Sequence, residues 1–161
     1  MRVLFAGTPE IAVPSLEAVH DSDHELVGVL TAPDRRSGRG KSLHPSPVKA
    51  RALELGVEVL QPERLRADAR EAVKALRADV LACFAYGKFF GPRFLELFPV
   101  AAINVHPSLL PQYRGPAPIP AAILSGDNET GVTVQDVALE MDAGDVLAQR
   151  RIPLSGDETT A

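Results

Sequence analysis

Asn104, His106 and Asp142 are the residues of this chain whose types and spacing can do chemistry together. An amide, an imidazole and a carboxylate are the parts needed to move an acyl group onto an amine: the developing oxyanion wants hydrogen-bond donors, and the attacking amine must lose a proton. Residues 101–105 read as a short buried strand, and its two-residue period puts Ile103 and Val105 on one face and Asn104 with His106 on the other. Asn104 and His106 then face one shared space and are followed at once by the rigid Ser108-Leu-Leu-Pro111 turn. A lone histidine more often satisfies a loop's backbone groups. A third polar group, Asp142, in the turn-rich stretch 139–144, favours acyl transfer.

Rival motifs fail on spacing. Gly40-Lys-Ser42 suggests a phosphate loop, but the first glycine of that pattern would stand at position 35, which is arginine. Gly7-Thr-Pro9 follows the first strand without the spaced glycines that let a pyrophosphate approach a helix terminus, so a nicotinamide or flavin dinucleotide is disfavoured. His20, His24, His44 and His106 are scattered and Cys83 is the only cysteine, so no metal-ligand spacing exists and no metal is expected. Cys83, in the apolar run 80–85, reads as a buried strand thiol. Ser108 reads as a turn residue, because an activated donor and an amine acceptor need no acyl-enzyme.

The elements that must position these groups alternate. Strands are expected over residues 2–6, 26–31, 57–60, 80–85 and 101–105, with helices over 13–19, 48–55 and 67–76, and a closing pair of strands over 131–136 and 146–149. That order predicts an α/β fold with a Rossmann-like, mainly parallel sheet flanked by helices, its site at the carboxyl ends of the strands. His106 and the Ala85-Tyr-Gly87 segment both end strands and so fall on that rim, and the 139–144 connection delivers Asp142. No internal repeat or low-complexity segment is present, and the proline-rich stretches around Pro45 and Pro116 read as fixed loops.

With 161 residues, 45% hydrophobic and 24% charged, the chain suits one globular domain, 1–161, with a sizeable core. It holds no run of about 18 apolar residues. Met1-Arg-Val-Leu-Phe5 enters a strand too early for a secretory leader, so a cytoplasmic location without a membrane partner is expected. Asn128-Glu-Thr130, although a glycosylation sequon, then reads as a turn before a strand. The net charge of −4 hides an asymmetry: residues 33–51 hold six basic residues against Asp34 alone, a local +5 that leaves −9 elsewhere. A basic loop on an acidic body is either a solvated loop or a surface for a phosphate backbone.

Taken together, Asn104-Val-His106, Ser108-Leu-Leu-Pro111, Arg114-Gly-Pro-Ala-Pro-Ile119 and Asp142-Ala-Gly-Asp145 resemble the 10-formyltetrahydrofolate transferase superfamily. Gly7-Thr-Pro9, Pro33-Asp-Arg35, Gly38-Arg-Gly-Lys41, Pro45-Ser-Pro-Val-Lys49 and Ala85-Tyr-Gly87 narrow the resemblance to its methionyl-tRNA formyltransferase family. The match runs nearly end to end; Pro107, where many members carry Gly, and Pro120, where Gln usually follows the Ile, depart from it. The resemblance implies a formyltransferase fold and transfer of a formyl group from 10-formyltetrahydrofolate to the amine of initiator methionyl-tRNA. His106 and Asn104 would stabilise the oxyanion, and Asp142 would partner His106 and relay protons.

By the same resemblance the folate donor lies against Tyr86, Gly87, Lys88, Phe89 and Phe90, the turn Ser108, Leu109, Leu110 and Pro111, and Leu139, Glu140 and Met141. Gly7, Thr8, Pro9, Arg114 and Gly115 line the substrate pocket, and Arg35, Arg36, Arg39, Gly40 and Lys41 contact tRNA. Glycines separate the charges of that last segment and no apolar residue anchors it, so it is expected to be poorly ordered without nucleic acid. The protein is expected to be a monomer. Residues 153–160 read as a loop running into a helix start, and members of the family continue into a smaller β-barrel domain, so the chain reads as an amino-terminal portion. The alternatives are a related transferase acting on a small amine, such as glycinamide ribonucleotide or an amino sugar, and a noncatalytic folate- or RNA-binding fragment.

Overall fold

Two compact units divide the protein, residues 1–102 and the chain from Ile103 onward. The structure, a computed structural model, describes residues 1–37 and 42–160. In the first unit β1 (Arg2–Gly7) leads through a 3-10 turn (Glu10–Ala12) into α1 (Val13–His20), β2 (Glu25–Leu30) and the short β3 (Arg35–Ser37) and β4 (Ser42–His44). Then come α2 (Pro47–Glu54), β5 (Val59–Leu60), α3 (Ala67–Ala75), β6 (Val80–Phe84) and α4 (Pro92–Leu95). Strand β1 pairs in parallel with both β2 and β6, and β2 with β5, giving the order β5-β2-β1-β6.

That sheet follows from the composition of β1. Val3, Leu4, Phe5 and Ala6 are all buried, so the strand is covered on both faces, as an apolar run without polar alternation requires. Leu16 of α1 and Val48 and Ala52 of α2 belong to the same core. Pro14 lies in the first turn of α1, and α2 starts on Pro47 with the Ser46 hydroxyl accepting the Lys49 N–H at 3.1 Å.

β3 and β4 pair antiparallel, Arg35 opposite His44 and Ser37 opposite Ser42, so the first three residues of the basic segment 35–41 form a short strand. Polar strands without apolar alternation carry no periodic signal, which is why the pairing is invisible in the sequence. Residues 38–41, among them Arg39, Gly40 and Lys41, lie outside the described residues.

The second unit holds most of β7 (Ala101–His106), then α5 (Pro118–Leu124), β8 (Glu129–Asp136) and β9 (Val146–Pro153). β8 pairs antiparallel with β7 and with β9. The register sets Asn104 opposite Gln135 and His106 opposite Thr133, and residues directly opposite share a face. Gly131, Thr133 and Gln135 form the buried row of β8, two of them polar and therefore in need of partners. Among the described residues no helix is long and apolar enough to cross a membrane.

Candidate active site

Strand β7 carries Asn104 and His106 on one face, and the connection from β8 to β9 brings Asp142 to them. His106 is buried, its Nε2 donates to the Tyr113 carbonyl at 2.9 Å, and its Nδ1 stands 3.6 Å from Asp142 Oδ2. A carbonyl can only accept, so Nε2 keeps its proton and Nδ1 is the nitrogen left for chemistry. The Asn104 side chain makes no hydrogen bond among the described residues, which leaves its amide for a ligand oxygen.

Asp142 is held on both oxygens. Oδ2 accepts the Gly115 N–H at 2.8 Å and Oδ1 accepts Gln135 Nε2 at 3.0 Å. The residue sits at φ 50°, in the left-handed region, as do Tyr113 at 57° and Ala85 at 51°. Non-glycine residues enter that region at a cost of about 1 kcal/mol or more; the fourth, Arg77 at 49°, lies in the turn after α3. Gly144 makes the sharp return possible: a Cβ there would lie 1.8 Å from the Asp136 carbonyl oxygen.

The turn after β7 is fixed from below. Ser108 Oγ donates to the Gln112 carbonyl at 2.5 Å, while Thr133 Oγ1 donates to the Ser108 carbonyl and accepts the Leu110 N–H. Ser108 and Leu110 are buried, whereas Pro111, Leu139, Glu140 and Met141 are exposed. Arg114 is exposed and reaches Glu140 at 3.9 Å, so the 114–115 and 140–142 loops meet at two points. Sequence reasoning missed Gln135 and the Tyr113 carbonyl, and only the β7–β8 register and a backbone fold reveal them.

In the first unit the carboxyl ends of β1, β2 and β6 border an open cleft of about 440 Å³. It joins three groups that the sequence assigned separately: Thr8 and Pro9, Arg35, and Tyr86 to Lys88, with His44 to Pro47 completing the wall. Thr8 latches the strand ends, its hydroxyl donating to the Tyr86 carbonyl at 3.1 Å. Tyr86 and Phe90 stack at 5.5 Å, and Phe90 on Phe94 at 5.3 Å, so Phe90 is core while Phe89 is exposed. Burial pushes the Tyr86 hydroxyl well above the usual phenol range, with the Cys83 thiol adding to the shift. Lys88 Nζ donates to the carbonyls of Pro62 and Glu63, and burial lowers its ammonium from the ordinary lysine range. Asp34 binds Lys49 and Gln61 at 2.7 Å each, and these bonds hold its carboxyl below the usual range. That network anchors the chain just before the basic hairpin.

The family model described as Formyl transferase matches residues 1–161, and the chain belongs to that family. It is 56% identical over 168 residues to a methionyl-tRNA formyltransferase of Treponema pallidum, covering 99% of this chain and 52% of the relative. Identity to the protein of that name from Borrelia hermsii is 48% over 161 residues, covering 100% of this chain and 52% of the relative. The chain thus spans about half the length of the curated relatives it matches. Among solved structures, a phosphoribosylglycinamide formyltransferase from Bacillus halodurans superposes with a TM-score of 0.78 at 21% identity, covering 99% of this chain and 83% of that one. Glycinamide ribonucleotide transformylase 1 from Geobacillus kaustophilus gives 0.77 at 27% identity, covering 98% and 85%.

Proposed function

We propose that the protein transfers the formyl group of 10-formyltetrahydrofolate to the amino group of initiator methionyl-tRNA, in the cytoplasm, ahead of translation initiation. The observation that carries this reading is the approach of His106 Nδ1 to Asp142 Oδ2 at 3.6 Å on a strand face shared with Asn104. The methionyl amine attacks the formyl carbon, a carbon–nitrogen bond forms, and the carbonyl oxygen takes negative charge. His106, through an Nδ1 proton, and Asn104, through its amide, donate hydrogen bonds to that oxygen. Asp142 takes the proton that the attacking nitrogen sheds, directly or through a water. It delivers the proton to the folate nitrogen as the old carbon–nitrogen bond breaks.

Arg35 at the foot of the hairpin, with Arg36, Arg39, Gly40 and Lys41, supplies the phosphate-binding surface for the tRNA. In the second unit Arg114 and Gly115 bound the amine substrate. In the second unit the Ser108–Pro111 turn and residues 139–141 receive the folate donor, a ligand suited to strand-end loops with apolar walls. The similarity to methionyl-tRNA formyltransferases supports the charged tRNA as acceptor. A formyl-transfer assay on the complete polypeptide, comparing charged initiator tRNA, free methionine and glycinamide ribonucleotide, tests the reading. Preference for the charged tRNA is expected; preference for glycinamide ribonucleotide would move the protein to the small-amine branch.

A further inference from the structure

We infer that Gln135 is a positioning residue for the transfer reaction, acting through Asp142. The inference rests on the function proposed above. Gln135 lies on β8 directly opposite Asn104, is 2% exposed, and donates from Nε2 to Asp142 Oδ1 at 3.0 Å. With the Gly115 N–H on Oδ2, that bond completes a two-point clamp, and the clamp fixes which carboxylate oxygen faces His106 Nδ1. The β8–β9 ladder shifts register between Val134 and Gln135, the kind of irregularity that re-aims a side chain beside a site.

Stability alone does not account for glutamine here. Its Oε1 is buried without a hydrogen-bond partner among the described residues, and an unpaired buried carbonyl is less favourable than apolar packing of the same size. The one bond that the side chain does make goes to the carboxylate at the centre of the proposed chemistry. Without it, Asp142 keeps a single backbone donor at a left-handed φ of 50° and is free to rotate about its side-chain bond. A misplacement on the scale of 1 Å at a reacting group costs about a hundredfold in rate.

The test uses Gln135→Met and Gln135→Glu in the complete polypeptide. Gln135→Met keeps the length of the side chain and removes the donor. Formyl transfer should fall about ten- to a hundredfold, with the Michaelis constant for the formyl donor unchanged and the melting temperature lowered by no more than the few degrees that one charge-assisted hydrogen bond accounts for. The Gly115 amide proton, read by hydrogen exchange, should lose protection, a readout that needs no turnover. Gln135→Glu places a carboxyl where the donor was, beside the titratable groups Asp142 and His106. Only its protonated form can donate, so its rate relative to the parent at each pH should recover on acidification, while the Gln135→Met ratio stays flat. Parent-like turnover and Gly115 protection in Gln135→Met would overturn the inference. So would a joint loss of turnover and melting temperature with no acid recovery in Gln135→Glu. If the parent formylates a small amine instead of charged tRNA, the proposed acceptor is wrong, but the same ratios measured on that amine still decide the role of Gln135.

Discussion

Replacing Asp142 by Asn separates the charge of the carboxylate from its shape. An amide has one acceptor oxygen, so the new side chain keeps the Gly115 bond and turns its NH2 toward Gln135. Gln135 flips in response and offers Oε1, which has no other partner among the described residues. Two hydrogen bonds survive without charge assistance. The difference between about 1.5–3 and about 0.5–1.5 kcal/mol per bond sets the stability loss near 2 kcal/mol for the pair. For a chain of this size that corresponds to a melting temperature lowered by about 4–8 °C. Asparagine also tolerates the φ of 50°. The catalytic loss is larger, because the carboxylate 3.6 Å from His106 Nδ1 is the proposed proton carrier and an amide cannot take up a proton in its place. Removing one stabiliser of an oxyanion costs about 10²–10³ in turnover, so single-turnover formyl transfer at saturating substrates should fall at least about a hundredfold in a folded protein. Transfer within tenfold of the parent would refute the assignment of Asp142 to the chemistry.

Three further outcomes are expected. His106→Ala should lower turnover by at least about a hundredfold while binding of the folate donor, measured by equilibrium titration, is retained; unchanged turnover would reject the oxyanion role. Replacing Arg39 and Lys41 by Ala should raise the Michaelis constant for charged tRNA and flatten its salt dependence by roughly one unit of slope per lost phosphate contact, leaving folate affinity alone. An equal loss of folate affinity would assign the basic segment to something else. Asp34, whose carboxyl is held below its ordinary 3.8 by Lys49 and then Gln61, contributes stability that is present above that value and is lost as pH falls through the lower folded value. Asp34→Asn should therefore melt below the parent at neutral pH and converge with it in acid, and a gap that persists in strong acid would remove the ion pair as its cause.

Much of this protein is legible from neighbouring residues alone. The apolar run of β1 requires cover on both faces, Pro14 and Pro47 mark helix starts, and alternation along β7 sets Asn104 and His106 together. Each of those signals acts over a few residues, where steric and solvation preferences repeat with the period of the element. The ladder that pairs Arg35 with His44 shows no such period, because Leu43 is the single apolar residue in its two strands. Local preference also says nothing about the clamp on Asp142. The pairing of Asn104 with Gln135, the Gly115 N–H on Oδ2 and the Tyr113 carbonyl that leaves Nδ1 of His106 for chemistry were decided by the tertiary structure. Strand register and loop return bring together residues far apart in the chain, and a directional hydrogen bond forms only once packing has fixed both of its ends.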